Sequence, residues 1–208
     1  MQSRPLHFAW FSLCSRLGFA AAPTQQLWQV LETHYASPER AYHNLNHISY
    51  CLQTIHPHLP LAEDPLAVEL ALWFHDLIYD PQAHDNEPRS AAYAGELLAA
   101  AALPTPQITE VQRLILLTQT HQARPYDRNA HLVLDADLAI LGAAAPVYQQ
   151  YSQAIRQEYH WVDEAAYRQG RGRVLTQFLE RPFIYHSPPF FQQLESPARH
   201  NLFNELMG

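Results

Sequence analysis

The sequence predicts an all-α protein, a single compact helical domain over residues 1–208 with roughly eight to ten helices. Three observations carry that expectation. Apolar residues recur at helical spacing through most of the chain, proline repeatedly follows a residue suited to cap a helix, and alternating strand patterns are scarce in a chain with only six glycines to turn hairpins. The length of 208 residues suits one domain with a real core, and 48% hydrophobic with 16% charged residues is globular composition.

The elements follow in order. LHFAWFSLC, Leu6 to Cys14, reads as an amphipathic helix running on past Arg16. Behind MQSR it has the outline of a secretion signal, but the apolar part is short, carries His7 and is interrupted by Arg16, so a soluble cytoplasmic protein is the expectation. Leu27, Val30, Leu31 and Tyr35 mark the next helix. Ser37-Pro38, Asp64-Pro65, Thr105-Pro106 and Ser196-Pro197 each place proline where a first helical turn tolerates it, and predict four helix starts. In AYHNLNHISYCL, Asn46 is the expected cap of a helix that His47 opens and Pro57 ends. From Pro65 to about Ile78 the chain is apolar on nearly every side, the pattern of a helix through the core. DNEPRSA places Asn86 as a cap with Glu87 in the first turn, ahead of the helix-forming ELLAAAAL. Leu114, Leu117 and Thr118 share a helix that His121 ends, and LVLDADLAILG is an apolar helix closed by Gly142. Tyr148, Tyr151, Ile155 and Tyr159, then Val174, Leu175, Phe178 and Leu179, mark two later helices. Repeats, linkers and low-complexity tracts are absent.

Charge narrows the partners. A net charge of −7 with no basic block argues against binding a nucleic-acid polymer or an acidic membrane, and no apolar run approaches the length of a span. The 13 basic residues are all arginine, so any phosphate must be held by Arg, such as Arg40 or Arg89, by His, or by a metal ion. Two cysteines, Cys14 and Cys51, each lie in an apolar stretch and read as buried free thiols.

Polar groups intrude on this core at three places: His47, the adjacent His75 and Asp76 in LWFHDLIYD, and the Asp135/Asp137 pair. An unpaired buried carboxylate costs several kcal/mol or more, and a divalent cation would compensate all three intrusions at once. Imidazoles with carboxylates suit Mn, Fe, Co or Zn, with positions left open for water or a substrate oxygen.

The order His, adjacent His-Asp, then a later Asp on separate helices resembles the HD-domain metal-dependent phosphohydrolase superfamily. More narrowly, YHNLNH, FHDLIYD with DNEPRSA, TQTH and LDADLAILG together resemble its small predicted bacterial phosphohydrolase branch, over roughly Tyr42 to Gly142 and more weakly in RGRVLTQFLERPFIY. The resemblance implies a helical fold, a bound divalent metal (Mn, Fe, Co, Zn or Mg) and a small phosphorylated substrate. Carried onto this chain, the ligands would be His47, His75, Asp76 and Asp137. Residues two apart on a helix point roughly 200° from each other, so Asp135 needs another task, either capping the helix or hydrogen-bonding a ligating histidine. Where hydrolytic relatives often carry an acidic residue, at the third position after Asp76, this chain has Tyr79, so the water-assisting group must come from elsewhere. Glu87, His43 and His121 are the candidates for catalytic roles. Two other readings stay open: a metal- or ligand-binding module without turnover, and a di-iron oxygenase that would need extra ligands, such as His43 and Asp80, for a second ion. No glycine-rich phosphate loop or nucleotide motif identifies the leaving group.

Overall fold

Helix formation follows the apolar periodicity almost from end to end in the computed structural model, which describes residues 6–208. Ten α-helices are present among the described residues: α1 Leu6–Leu17, α2 Ala21–Tyr35, α3 Leu45–Ile55, α4 Pro65–Phe74, α5 Asn86–Ala100, α6 Thr105–Leu117, α7 Arg128–Asp137, α8 Ala145–Glu158, α9 Glu164–Glu180 and α10 Pro188–Met207. Short 3-10 segments, His56–Leu61 and Leu138–Gly142, extend α3 and α7, and the described residues contain no strand. The all-α expectation holds, with the helix count at its upper end.

The centre of the fold is α4. Every residue from Ala67 to Phe74 is buried, because α1, α3, α5, α6 and α7 all pack around it. Fully burying an apolar side chain contributes about 1.5–3 kcal/mol, so a helix apolar on all sides is most stable where nothing exposes it. Trp10 of α1 meets Trp73 and Phe74 edge-on, with ring centroids 5.3 and 5.8 Å apart. The one charge in α4, Glu69, is met by both guanidinium nitrogens of Arg16 at 2.7 and 2.5 Å. Arg16, which interrupts the leader-like stretch, therefore compensates a carboxylate in the central helix. Residues 1–5 of that stretch lie outside the described residues, and the remainder is α1, whose Trp10, Leu13 and Cys14 are buried. No single helix among the described residues is long and apolar enough to cross a membrane. Both cysteines are buried free thiols, and burial pushes Cys14 up to about 11.

Proline marks helix starts less uniformly than the sequence suggests. Asp64 caps α4 as expected, its carboxylate accepting from Ala67 N–H at 3.0 Å. At Thr105-Pro106 the helix starts on Thr105 itself, after Pro104. Ser37-Pro38 opens only a turn, and Pro197 sits inside α10. The true start of α10 is Ser187-Pro188, and that helix spans 20 residues, long enough for its packing to absorb the one backbone bond that Pro197 cannot donate. Two further boundaries move. Asn44 rather than Asn46 caps α3, its side chain accepting from Asn46 N–H, and α4 stops at Phe74 instead of Ile78. α10 closes the domain by packing on Leu138–Gly142 and α9. At Gly142 a Cβ would lie 2.6 Å from Leu194 Cβ and 2.9 Å from Leu194 O, so glycine is what lets α10 approach this closely.

Candidate metal centre

Three chain segments bring the intruding polar groups together. His47 lies on the buried face of α3, one turn before Cys51 and two before Ile55. His75 and Asp76 follow the last residue of α4, and the carbonyls of the chain just beyond the helix need partners of their own. Arg40 supplies them: its buried guanidinium donates to Asp76 O at 2.6 Å and Leu77 O at 2.9 Å, and also to His43 O at 2.9 Å. One arginine thus holds the backbones of two segments of the site in fixed relation, and it stacks over the rings of Tyr35 and Tyr79. Asp137 is the final residue of α7, where the chain tightens into the 3-10 segment.

Four side chains converge. His47 Nε2 lies 3.1 Å from His75 Nε2, 3.5 Å from Asp76 Oδ2 and 3.2 Å from Asp137 Oδ1. His75 Nε2 lies 3.1 Å from Asp76 Oδ2 and 3.4 Å from Asp137 Oδ1. Donor atoms around one ion at bond lengths of about 2.0–2.2 Å stand roughly 3.0–3.5 Å apart, so these separations fit a shared cation. The chemistry of the donors agrees. His75 Nδ1 is 3.0 Å from Leu72 O, which fixes a hydrogen there and turns Nε2 toward the equally placed Nε2 of His47. Asp76 Oδ2 is buried without a hydrogen-bond donor. Two facing imidazole nitrogens and two carboxylates need positive charge between them. Burial opposes the charged form of His75, yet the Asp76 and Asp137 carboxylates override it and raise His75 well above the ordinary imidazole value. Burial likewise works against the ionised carboxylates, and His75 reverses it, holding Asp76 and Asp137 below the usual range. His47, Cys51 and Asp137 also lie close enough to share an ion, but burial holds the Cys51 thiol well above its ordinary value, which disfavours the thiolate a metal requires.

The centre opens on a cavity of about 340 Å³ whose wall includes His75, Asp76 and Asp137, and also all three candidates for catalytic roles, His43, Glu87 and His121. His47 lies behind it, 3% exposed. Thr118, Gln119, Asn86, Tyr159 and His84 complete much of the polar lining, and no arginine among the described residues is part of it. His121 sits beyond α6, in a left-handed backbone conformation with φ +50°, a strained state for a non-glycine residue. Two contacts hold it there: its Nε2 meets Asp137 Oδ2 at 2.9 Å, and Arg181 donates to the carbonyls of His121 and Thr120, each at 3.0 Å. His121 is therefore engaged with the second oxygen of a candidate ligand. Asn86 is the first residue of α5 and follows Asp85; its side chain ties the loop by exchanging hydrogen bonds with Asp80 N and Asp80 O. Asp80 itself is exposed, accepts from Gln82 N–H at 2.9 Å and is not in the cavity wall.

Asp135 departs from its expected role. It neither caps α7, whose cap is Asp127, nor touches a ligating histidine. Fully buried, it accepts from His186 N–H at 2.8 Å, Ser187 N–H at 2.6 Å and the Ser187 hydroxyl, so it clasps the chain entering α10. Burial nonetheless raises it to about 6, against those hydrogen bonds.

Glu158 is the residue that the sequence reading misses. At the end of α8 its buried carboxylate accepts from Tyr42 N–H at 2.7 Å, His43 N–H at 2.9 Å, His43 Nδ1 at 2.6 Å and the Tyr79 hydroxyl at 2.8 Å. Burial would lower His43, but the charges of Asp76 and Glu158 and the bond to Glu158 raise it instead. The only sequence signal was an acidic residue inside the helical pattern of Tyr148, Tyr151, Ile155 and Tyr159, which reads equally as a solvated face. No protein-family model, curated protein or solved structure matches the chain.

Proposed function

We propose that the chain is a metal-dependent phosphohydrolase of the HD-domain type, acting in the cytoplasm on a small phosphoester such as a nucleotide. The observation that carries this reading is the orphaned Asp76 Oδ2 beside the facing Nε2 atoms of His47 and His75, with Asp137 Oδ1 near both imidazoles, in the wall of an open polar cavity. His47, His75, Asp76 and Asp137 would hold the ion, and with both histidines neutral the set carries two negative charges that a divalent cation neutralises. When bound, such an ion supplies Lewis acidity toward a phosphoryl oxygen and lowers the pKa of water. A donor set of mixed N and O atoms beside a cavity would suit Mn, Fe, Co or Zn, with room for water or a substrate oxygen.

The chain's own groups divide the remaining work. Among the described residues the cavity wall carries histidines and no arginine, so the phosphate charge would fall to the cation and the histidines. His121 orients Asp137 through its second oxygen, the kind of outer contact that fixes a ligand's direction. Glu87, in the first turn of α5 and in the cavity wall, would be the carboxylate that orients water. Asp80, one of the extra ligands suggested for a two-iron site, lies outside the cavity wall, which favours the single-ion reading.

The test is a screen of phosphorylated metabolites with each divalent metal, run beside Asp76→Ala. Phosphate release that depends on metal and vanishes in the variant supports the reading. Metal bound at this centre with no turnover on any phosphoester would leave a binding module instead.

A further inference from the structure

We propose that the cleft between α8 and α10 is a second binding site, one that takes a small neutral polyhydroxylated molecule, a polyol or a monosaccharide. It shares no lining residue with the cavity at the metal centre, so the assignment stands whether or not the chain hydrolyses phosphoesters.

Helical spacing builds the cleft. Ala145, Tyr148, Gln149, Ser152 and Gln153 fall on one face of α8, and Asn201, Asn204 and Glu205 fall on one face of α10. A helix face turned toward a neighbour is ordinarily apolar, yet apart from Ala145 each of these residues carries a polar group. Between them lie about 260 Å³, just under the roughly 300–1,000 Å³ of drug-sized pockets, which suits a molecule between glycerol and one sugar ring.

The base of the cleft is made of acceptors. Asn201, 7% exposed, spends both amide hydrogens on Leu141 O at 2.9 Å and Ala143 O at 2.8 Å, which leaves Oδ1 as its free polar atom. Tyr148, 4% exposed, donates its hydroxyl hydrogen to Glu205 Oε2 and keeps only lone pairs. Burial opposes the charge of Glu205, but Arg171 donates to Oε1 at 2.8 Å and to Oε2 at 3.2 Å and holds the carboxyl below its usual range. That pairing leaves the base with no net charge. At the rim, the exposed amides of Gln149, Gln153 and Asn204 and the Ser152 hydroxyl can each donate or accept.

This inventory selects the ligand. An anion would meet acceptors at the base and no donor. A cation would lie close to Arg171, which already neutralises the one carboxylate of the cleft. An apolar molecule would strip water from Asn201 Oδ1 and the Tyr148 oxygen and return no hydrogen bond. A neutral molecule with several O–H groups donates to the base and exchanges hydrogen bonds with the rim, while Ala145 and the Tyr148 ring meet its C–H groups. For a ligand of so few atoms, the affinity expected is a Kd of about 1 mM.

Two-dimensional NMR of the side-chain amides tests this on the full chain, titrated separately with glycerol, myo-inositol, D-ribose and D-glucose. At least one probe is expected to shift the Gln149, Gln153 and Asn204 amide signals saturably, with a Kd within about tenfold of 1 mM. Gln149→Ala and Asn204→Ala, both at exposed positions, are expected to weaken that binding about tenfold each while moving the melting temperature by less than about 3 °C. Ala145→Leu, which fills the cleft from an exposed position, is expected to abolish it. Saturable shifts are the readout because polyols also raise melting temperatures merely by exclusion from protein surfaces. No saturation by any of the four probes up to about 100 mM would overturn the site, as would binding that survives in all three variants. Inorganic phosphate and spermidine serve as the anionic and cationic probes, and tighter saturation of the same signals by either would overturn the class of ligand. Phosphoester turnover enters none of these readouts, so the cleft and the phosphohydrolase reading fail separately.

Discussion

Asp135→Asn and Asp137→Asn, two positions apart on α7, are expected to fail in opposite ways. The amide introduced by Asp135→Asn would keep an oxygen for His186 N–H but turn an NH₂ group toward Ser187 N–H, now bonded at 2.6 Å. The Ser187 hydroxyl can rotate to accept; the N–H cannot, and a buried donor left without a partner costs about 1–3 kcal/mol. Relief of the buried charge, which holds Asp135 up near 6, offsets part of this. The net is about 1–2 kcal/mol, a Tm drop of about 2–8 °C for a chain of this size. Metal affinity should stay within about threefold of the wild-type value, because Asp135 touches no ligand; an outer partner of a ligating histidine would instead cost about 10–100-fold. In Asp137→Asn, metal retention is expected to be lost, since its Oδ1 is one of the four converging donors. Metal titration by calorimetry, with melting curves in chelator and in excess metal, measures both effects. A variant at Asp135 that melts normally but binds no metal, paired with an Asp137 variant that binds it normally, would refute the assignment.

Other outcomes follow from neighbouring groups. Arg40→Ala leaves three carbonyls without their donor and is expected to cost about 2–4 kcal/mol in urea unfolding; a loss under about 1 kcal/mol, on the order of a surface change, would contradict its role as the clamp. In metal-free protein His75 is raised well above the ordinary imidazole value, so its protonation stabilises the fold fully below about 6.5, and that contribution disappears as pH climbs through the raised value. Melting temperature in chelator should therefore fall on alkalinisation above that point, while the metal-loaded protein holds steady. His186 behaves conversely. Burial first, then the charges of His131, Arg181 and His121, depresses it from 6.5 to about 4, so stability present above 6.5 drains away as pH falls from 6.5 toward 4. With the ring half exposed, the loss is about 1–2 kcal/mol after solvent screening, and His186→Phe should flatten the acid limb of the stability profile. Gly142→Ala forces a methyl against Leu194 and is expected to cost about 1–3 kcal/mol by thermal melting, without changing metal stoichiometry.

What the sequence discloses and what it conceals divide along a physical line. Helices α2, α8 and α9 were legible because their apolar residues repeat on one face, and α4 because its apolar run has no polar face. The meeting of His47, His75 and Asp76 with one aspartate of the Asp135/Asp137 pair was legible because ionisable residues inside apolar helices demand compensation; the choice of Asp137 came from the resemblance to the HD-domain superfamily. Boundaries were harder. Asn44 and Asn46 are equally good caps on paper, and only the backbone N–H that the Asn44 side chain meets separates them. Pro197 looked like a helix start because a local rule cannot see that α10 is held from both sides by Leu138–Gly142 and α9. The task of Asp135 and the existence of the Glu158 contacts are long-range facts, joining residues 51–52 and 115–116 positions apart, and no spacing in the sequence encodes them.

The residues that would bind the ion all lie between positions 47 and 137, yet what keeps them in place lies largely beyond them. Glu158 secures the turn ahead of α3, Arg181 fastens the strained backbone at His121, and the entry to α10 is tied back to the helix that ends in Asp137. A fragment cut after Gly142 would therefore contain every donor atom and lack the framework that aligns them. The boundary of the chemistry and the boundary of the folding unit do not coincide. Grafting the donor residues alone onto another helical scaffold would reproduce a composition, whereas transplanting the centre means carrying residues 143–208 as its mould.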